Sequence, residues 1–402
     1  MASKRDIELA SLLFRSGILT QEEIQSALGY QGTLLTKGTV QSLVDILVER
    51  SLLPEDSAVT FSEEPLEKLQ PFPDYEMFEF IGDGASARVY RGRHKARDLE
   101  VAVKVLHPEQ ELQRKSLKRF MREAHLLCKL RHDNIVRGYE VRKVNGFRFV
   151  SMEWVPGNTV LEEIDRRGMI DGPTALHIAR QIASALAYLH AKGIVHRDIK
   201  PGNVLIDPAC NAKLIDLGLC HLTAQEATES EGTTVGTVGY ISPEQAKGGE
   251  VDVRSDIYSL GVSLYHMVVG EVPFSGDDDF EVMSKQIMQS LTSDRMKSLN
   301  ISPHVHYCIE KMMAKEKEMR FQHPDEIVAD ISGYLDSIDF KPIQTAHVAE
   351  EKPAVKSKAP SSKKNIDFSR KSKKKTTKKT PKKKTPTGTK PKPPISRRKR
   401  RY

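Results

Sequence analysis

The sequence predicts an α+β fold in which a strand-bearing segment precedes a predominantly helical one. Val101, Val103 and Val105 alternate with Ala102 and Lys104, the period of two that gives a strand two different faces. Leu117, Phe120, Ala124 and Leu127 recur at helical spacing soon after it. Residues 257–269 are apolar almost all round, the pattern of a helix buried on every side.

In chain order, residues 1–53 read as a small helical module with an internal repeat. Leu13-Phe14-Arg15-Ser16-Gly17-Ile18-Leu19-Thr20 returns 34 positions later as Leu47-Val48-Glu49-Arg50-Ser51-Leu52-Leu53-Pro54. Each copy reads as a helix end, a small residue that stops it, two apolar residues, and an opening signal for the next helix. The pattern is similar to small helical modules on bacterial secretion ATPases and signalling proteins, and it equally fits an ordinary helical cap packed on the domain that follows. Residues 54–73 turn acidic and Pro-containing, the composition of a linker.

Ile81-Gly82-Asp83-Gly84-Ala85-Ser86-Ala87-Arg88-Val89-Tyr90 then reads as a glycine-bearing turn, where missing side chains let backbone N–H groups approach an anion. The valine strand comes after it, and its alternation sends Lys104 to the face opposite the valines. Glu123 sits within the apolar face of the next helix, three residues after Phe120 and four before Leu127. An inward carboxylate asks for a cation, and Lys104 is the candidate. His196-Arg197-Asp198, Lys200, Asn203 and, thirteen residues later, Asp216 complete a set of charged and amide groups. Gly236-Thr237-Val238-Gly239-Tyr240-Ile241-Ser242-Pro243-Glu244 lies ahead of the buried helix, which Asp256 is expected to open.

This ordered set resembles that of the Hanks-type, eukaryotic-like Ser/Thr protein kinases, in their bacterial form. The resemblance implies a bilobal protein kinase fold over residues 74–340. It would have a small antiparallel β-sheet N-lobe with one key helix and a larger, mostly helical C-lobe. It also implies ATP and Mg2+ as cofactors and a protein as substrate. Gly82, Gly84, Val89 and Ala102 would then line the nucleotide site, Lys104 with Glu123 would clasp the α and β phosphates, and Met152 would be the gatekeeper. The backbone around Glu153 and Val155 would read adenine, while Asn158 is not assigned to the ribose. Asp198 would orient and deprotonate the substrate hydroxyl, Lys200 would steady the migrating phosphoryl group, and Asn203 and Asp216 would hold magnesium.

His196 is expected to be a satisfied core histidine. Leu217, in place of the usual Phe, is expected to pack beneath the helix bearing Glu123. Ala87 and Ser86 replace a glycine and an aromatic of the family's loop, which implies a looser lid. Glu244 and Arg320 match a buried scaffold ion pair. Thr237 and Lys200 favour Ser/Thr as acceptor, and phosphorylation at Thr233 or Thr234 would give Arg197 a bidentate partner.

At 402 residues with 39% apolar content, the chain can bury a large core and still carry extra modules. Cys128, Cys210, Cys220 and Cys308 show neither a CxxC pair nor zinc spacing, which predicts a reducing compartment without structural metal. No apolar run reaches the roughly 20 residues of a bilayer span, and no signal core lies behind the N-terminus, so a cytoplasmic protein is expected.

The net charge of +8 conceals a strong asymmetry. Residues 352–402 carry 22 Lys and Arg against the single acid Asp367, while the preceding chain carries 40 against 53 Asp and Glu. Residues 350–402, rich in Lys, Pro and Thr, are expected to be a disordered tail, similar in composition to those of linker histones. Such a tail would bind DNA or another polyanion without sequence preference, or fold back on the acidic body. Two other functions compete: a pseudokinase or scaffold, and a small-molecule phosphotransferase. Lys200 and the Ser-Pro-Glu ending argue against the latter.

Overall fold

The computed structural model describes residues 3–56, 58, 61, 72–217, 221–222, 238–292 and 294–342. Thr233, Thr234, Thr237 and the basic tail lie outside the described residues.

Three helices open the chain: α1 (Lys4–Arg15), α2 (Gln21–Thr36) and α3 (Leu43–Glu49). Ser3, Thr20 and Ser42 cap their N-termini through side-chain oxygens, which satisfies donors that a helix end leaves free. The two repeat copies fold alike after α1 and α3. The Ile18 and Leu19 N–H groups both donate to the Leu13 carbonyl, and those of Leu52 and Leu53 both donate to the Leu47 carbonyl. Gly17 and Ser51 take positive φ at the same place, 70° and 56°. Both apolar pairs beyond that position reach inward, with Ile18, Leu19 and Leu53 buried.

A five-stranded antiparallel sheet comes next, with β1 (Tyr75–Asp83), β2 (Ala87–His94), β3 (Leu99–Leu106), β4 (Gly138–Val144) and β5 (Phe147–Glu153) in the order β1-β2-β3-β5-β4. The alternation read in β3 is realised. Val101, Val103 and Val105 enter a core made with Leu9, Leu13, Ile46 and Leu47 of the helical module. Ala102 faces the opposite way and joins the core that continues into the C-terminal half. The sheet therefore buries one face against the three helices and the other toward the helix Arg114–Lys129 and the cleft.

The segment 54–73, read as a linker, contributes Phe61 and Phe72 to the module–sheet core, where they pack on Phe147 and Phe149. Isolated aromatics in an acidic stretch have no periodicity, so the composition masked their burial.

In the C-terminal half every residue of the helix Val253–Val269 except Arg254 is buried. Helices Gly172–His190 and Pro303–Met312 pack on it. Gly261 is required there, because a Cβ would stand 2.6 Å from that of Met312. Asp256 does not open this helix. Asp252 is the N-cap, and its side chain accepts the Arg254 N–H, while Asp256 lies one turn inside. Glu244 and Arg320 form the expected buried pair, at 2.7 and 2.9 Å. Cys308 is buried beside Asp330 and His304, where burial and the Asp330 carboxylate push its thiol well up. It therefore stays a protonated donor to Asp330 at 3.5 Å.

Candidate active site between the sheet and the helical half

Lys104 on β3 and Glu123 on the helix Arg114–Lys129 meet at 2.6 Å, with side chains 16% and 12% exposed. Asp216 is their third neighbour. Burial opposes the charge on Lys104, but the Asp216 and then the Glu123 carboxylates outweigh it and hold the ammonium above its ordinary value. Burial pushes the Glu123 carboxyl up; Lys104 opposes that shift and Asp216 adds to it. One ammonium thus serves two carboxylates.

The segment carrying Asp198 is fixed from beneath. The His196 and Arg197 N–H groups donate to the two oxygens of buried Asp256, at 2.8 and 2.7 Å. Directly after the second of these donors Arg197 adopts φ 69°, a conformation costly for a non-glycine residue, and Gln245 clamps its carbonyl at 3.0 Å. Asp198 then receives Lys200 Nζ on both oxygens, at 3.0 and 2.8 Å, and Asn203 Nδ2 at 2.9 Å. Asn203 Nδ2 also donates to the Asp198 carbonyl at 2.8 Å, so its amide nitrogen is spent and its Oδ1 remains as a hard ligand.

His196 is buried, and its Nδ1 accepts the Asp198 N–H at 3.3 Å. Its Nε2 has no hydrogen-bond partner among the described residues, so the expected satisfied histidine is only half satisfied.

The apolar side of the cleft is continuous. Ala102 and Met152 are cross-strand partners in β3 and β5 and share a core with Val155 and Leu217, against which Val89 packs. The Glu153 N–H already donates to the Arg137 carbonyl at 2.8 Å, and its side chain pairs with Lys213 at 3.0 Å. Asn158 is committed to Glu163 at 2.8 Å. Gly82 has open space where a side chain would stand. The Gly84 N–H donates to the Ala87 carbonyl at 3.0 Å, and its own carbonyl contacts His107 Nε2 at 3.0 Å. The turn is therefore pinned, where the missing third glycine had implied a looser lid.

Asp256 and His107 escaped the sequence reading. Asp256 had a signal, a lone acid in an apolar run, which was spent on a helix-start assignment. His107 had none, because its partners meet it only in space.

Residues 75–330 match the family model for the protein kinase domain. The chain belongs to the protein kinase family. This protein kinase is 34% identical over 263 residues to the serine/threonine-protein kinase PrkC of Bacillus subtilis, a match covering 65% of this chain and 41% of PrkC. It is 35% identical over 264 residues to PknA of Corynebacterium glutamicum, covering 64% and 56% of the two chains. To PknB of Mycobacterium leprae it is 32% identical over 262 residues, covering 64% and 42%. The chain thus spans about two fifths of the length of PrkC and PknB. No helix among the described residues is long and apolar enough to cross a membrane.

Proposed function

We propose that this protein kinase transfers the γ-phosphoryl group of ATP to Ser or Thr hydroxyls of proteins. The observation that carries the reading is the Lys104–Glu123 pair, closed at 2.6 Å beside Asp216. A scaffold that never bound nucleotide would gain little from burying one ammonium between two carboxylates, because desolvating such a cluster is costly.

Lys104 grips the α and β phosphates and is itself aimed by Glu123. Asp198, its direction fixed by Lys200 and Asn203, accepts the proton of the attacking hydroxyl. Lys200 stands within reach of the phosphoryl group in transit. Asn203 and Asp216 are the residues that would hold magnesium, and the cluster's excess of carboxylate over ammonium suits a divalent cation. Magnesium supplies charge neutralisation of the transferring phosphoryl group.

Phosphorylation at Thr233 or Thr234 would present a dianion to Arg197 and order the segment before Thr237. Lys200 and Thr237 support a Ser/Thr acceptor. The basic tail would tether the enzyme to DNA or another polyanion through phosphate contacts alone, since only Phe368 and Tyr402 could stack on bases after residue 350. Transfer of labelled phosphate from ATP to a generic basic protein, with phosphoamino-acid analysis of the product, tests the reading. Incorporation on Ser or Thr is expected, and its absence with magnesium present would refute it.

A further inference from the structure

The helical module touches the nucleotide site at one strand. β2 alternates between its two sides: Val89 packs toward the cleft core, while Tyr90 enters the core shared with the module. The polar ties between module and sheet concentrate on the module-facing residues. Tyr90 donates its hydroxyl to the Gly17 carbonyl, and Arg88 donates to the Ile18 carbonyl and the Glu23 carboxylate. Gly17 and Ile18 are the positive-φ turn of the first repeat copy, and Glu23 belongs to the capping box of α2.

Arg88 also holds Asp83 at 3.2 Å, and the two are cross-strand partners on opposite legs of the glycine-rich hairpin. One guanidinium, 13% exposed, therefore binds the module to both legs at once. Burial opposes the charge on Arg88, but the Glu23 carboxylate outweighs it and raises the guanidinium further. Beyond Arg88 the contact opens into a cavity of about 350 Å³, lined by Asp83, Gly84 and Ala85 of the turn and by Glu23 and Ser51 of the module. The hairpin is thus held to the module at its root, while His107 holds its turn through the Gly84 and Ser86 carbonyls.

We propose that the helical module is a positioning element for the nucleotide site, and that Glu23 and Arg88 are its positioning residues. By fixing the root of the hairpin, they set where Val89 and the Gly82–Gly84 turn stand over the nucleotide. The module is in this sense part of the catalytic unit. The inference rests on the reading that the cleft binds ATP.

The test uses the full chain and substitutes Glu23→Gln, which keeps side-chain size and removes the charge. KM for ATP and the dissociation constant for ADP should rise about 2- to 30-fold, with kcat and KM for the protein acceptor little changed. Glu23→Asp should restore part of the loss. Tyr90→Phe, which removes only the hydroxyl given to Gly17, should shift the same constants in the same direction. A double-mutant cycle between Glu23→Gln and Arg88→Gln should be non-additive in KM for ATP. Unchanged nucleotide constants in Glu23→Gln and Tyr90→Phe, with melting as for wild type, would overturn the proposal. So would a fall confined to kcat and thermal stability. If wild type itself neither binds ADP nor turns over ATP, it is the kinase reading that fails.

Discussion

Asp256 shows how one buried side chain can govern a loop it does not belong to. Its two oxygens take the N–H groups of His196 and of Arg197, the residue that adopts positive φ, and Asp198 is the next residue. Asp256→Asn puts an amide N–H against one of those donors, leaving it buried and unpaired. The expected cost is about 1–3 kcal/mol of stability with a fall in kcat larger than any change in KM, read by urea unfolding and steady-state kinetics. Lys315 offers a second test. Its Nζ donates to the Tyr258 hydroxyl and the Gln286 carbonyl, and burial, with Arg320 nearby, lowers it to about 8. The unfolded chain keeps this proton up to the ordinary lysine value, so unfolding takes up a proton between those limits and stability rises with pH across that window. The difference in urea midpoint between wild type and Lys315→Met should move in favour of wild type from about pH 8 to about pH 10. A constant difference would contradict it.

Among residues, those announced by local pattern were legible. Lys104 and Glu123 were placed by strand and helix periodicity, and the structure joins them. Val101, Val103 and Val105 were assigned to one face without any sign of what covers it. Periodicity says that a face is buried but is silent on its partner, and the partner here comes from residues far earlier in the chain, Leu9 and Leu13 among them.

At the scale of elements, the repeated turn shows how one hydrogen-bond pattern tolerates different residues. Gly17 and Ser51 occupy the same positive-φ position. A Cβ at residue 17 would stand 2.9 Å from Tyr90 Cε1, so that copy needs glycine for its backbone and for its neighbour alike. Ser51 meets only the backbone penalty. Ser51→Gly should therefore stabilise the protein by about 0.5–1 kcal/mol, whereas Gly17→Ala should destabilise it by about 1–3 kcal/mol and displace Tyr90. Urea midpoints of the two variants check both signs, and equal effects would refute the distinction. The repeat itself was visible in sequence. Its docking was not, because Tyr90 and Arg88 read only as ordinary residues of a strand.

Across the whole molecule, one core joins the three helices, the 54–73 aromatics and the back of the sheet, while a second runs from the cleft through the helical half. The site lies along the edge of the second and is braced by the first. The asymmetry of charge belongs to this scale as well. If six to ten tail cations meet phosphates, DNA affinity should fall roughly 10³- to 10⁵-fold between 50 and 200 mM salt, and a chain ending at residue 350 should lose the binding. Salt-independent binding, or equal binding by the truncated chain, would refute the tether. Faster peptide phosphorylation by the truncated chain, with DNA binding unchanged, would assign the tail to the body instead.

Magnesium-dependent turnover of ATP onto a protein acceptor by wild type, Lys104→Met and Asp198→Asn tests most directly whether the assembled cleft performs phosphoryl transfer. Wild type should incorporate phosphate on Ser or Thr, and each variant should lose about 10² to 10⁴ in rate while keeping the folded circular-dichroism spectrum of wild type. Wild-type turnover in a purified Asp198→Asn protein would contradict phosphoryl transfer through this cleft.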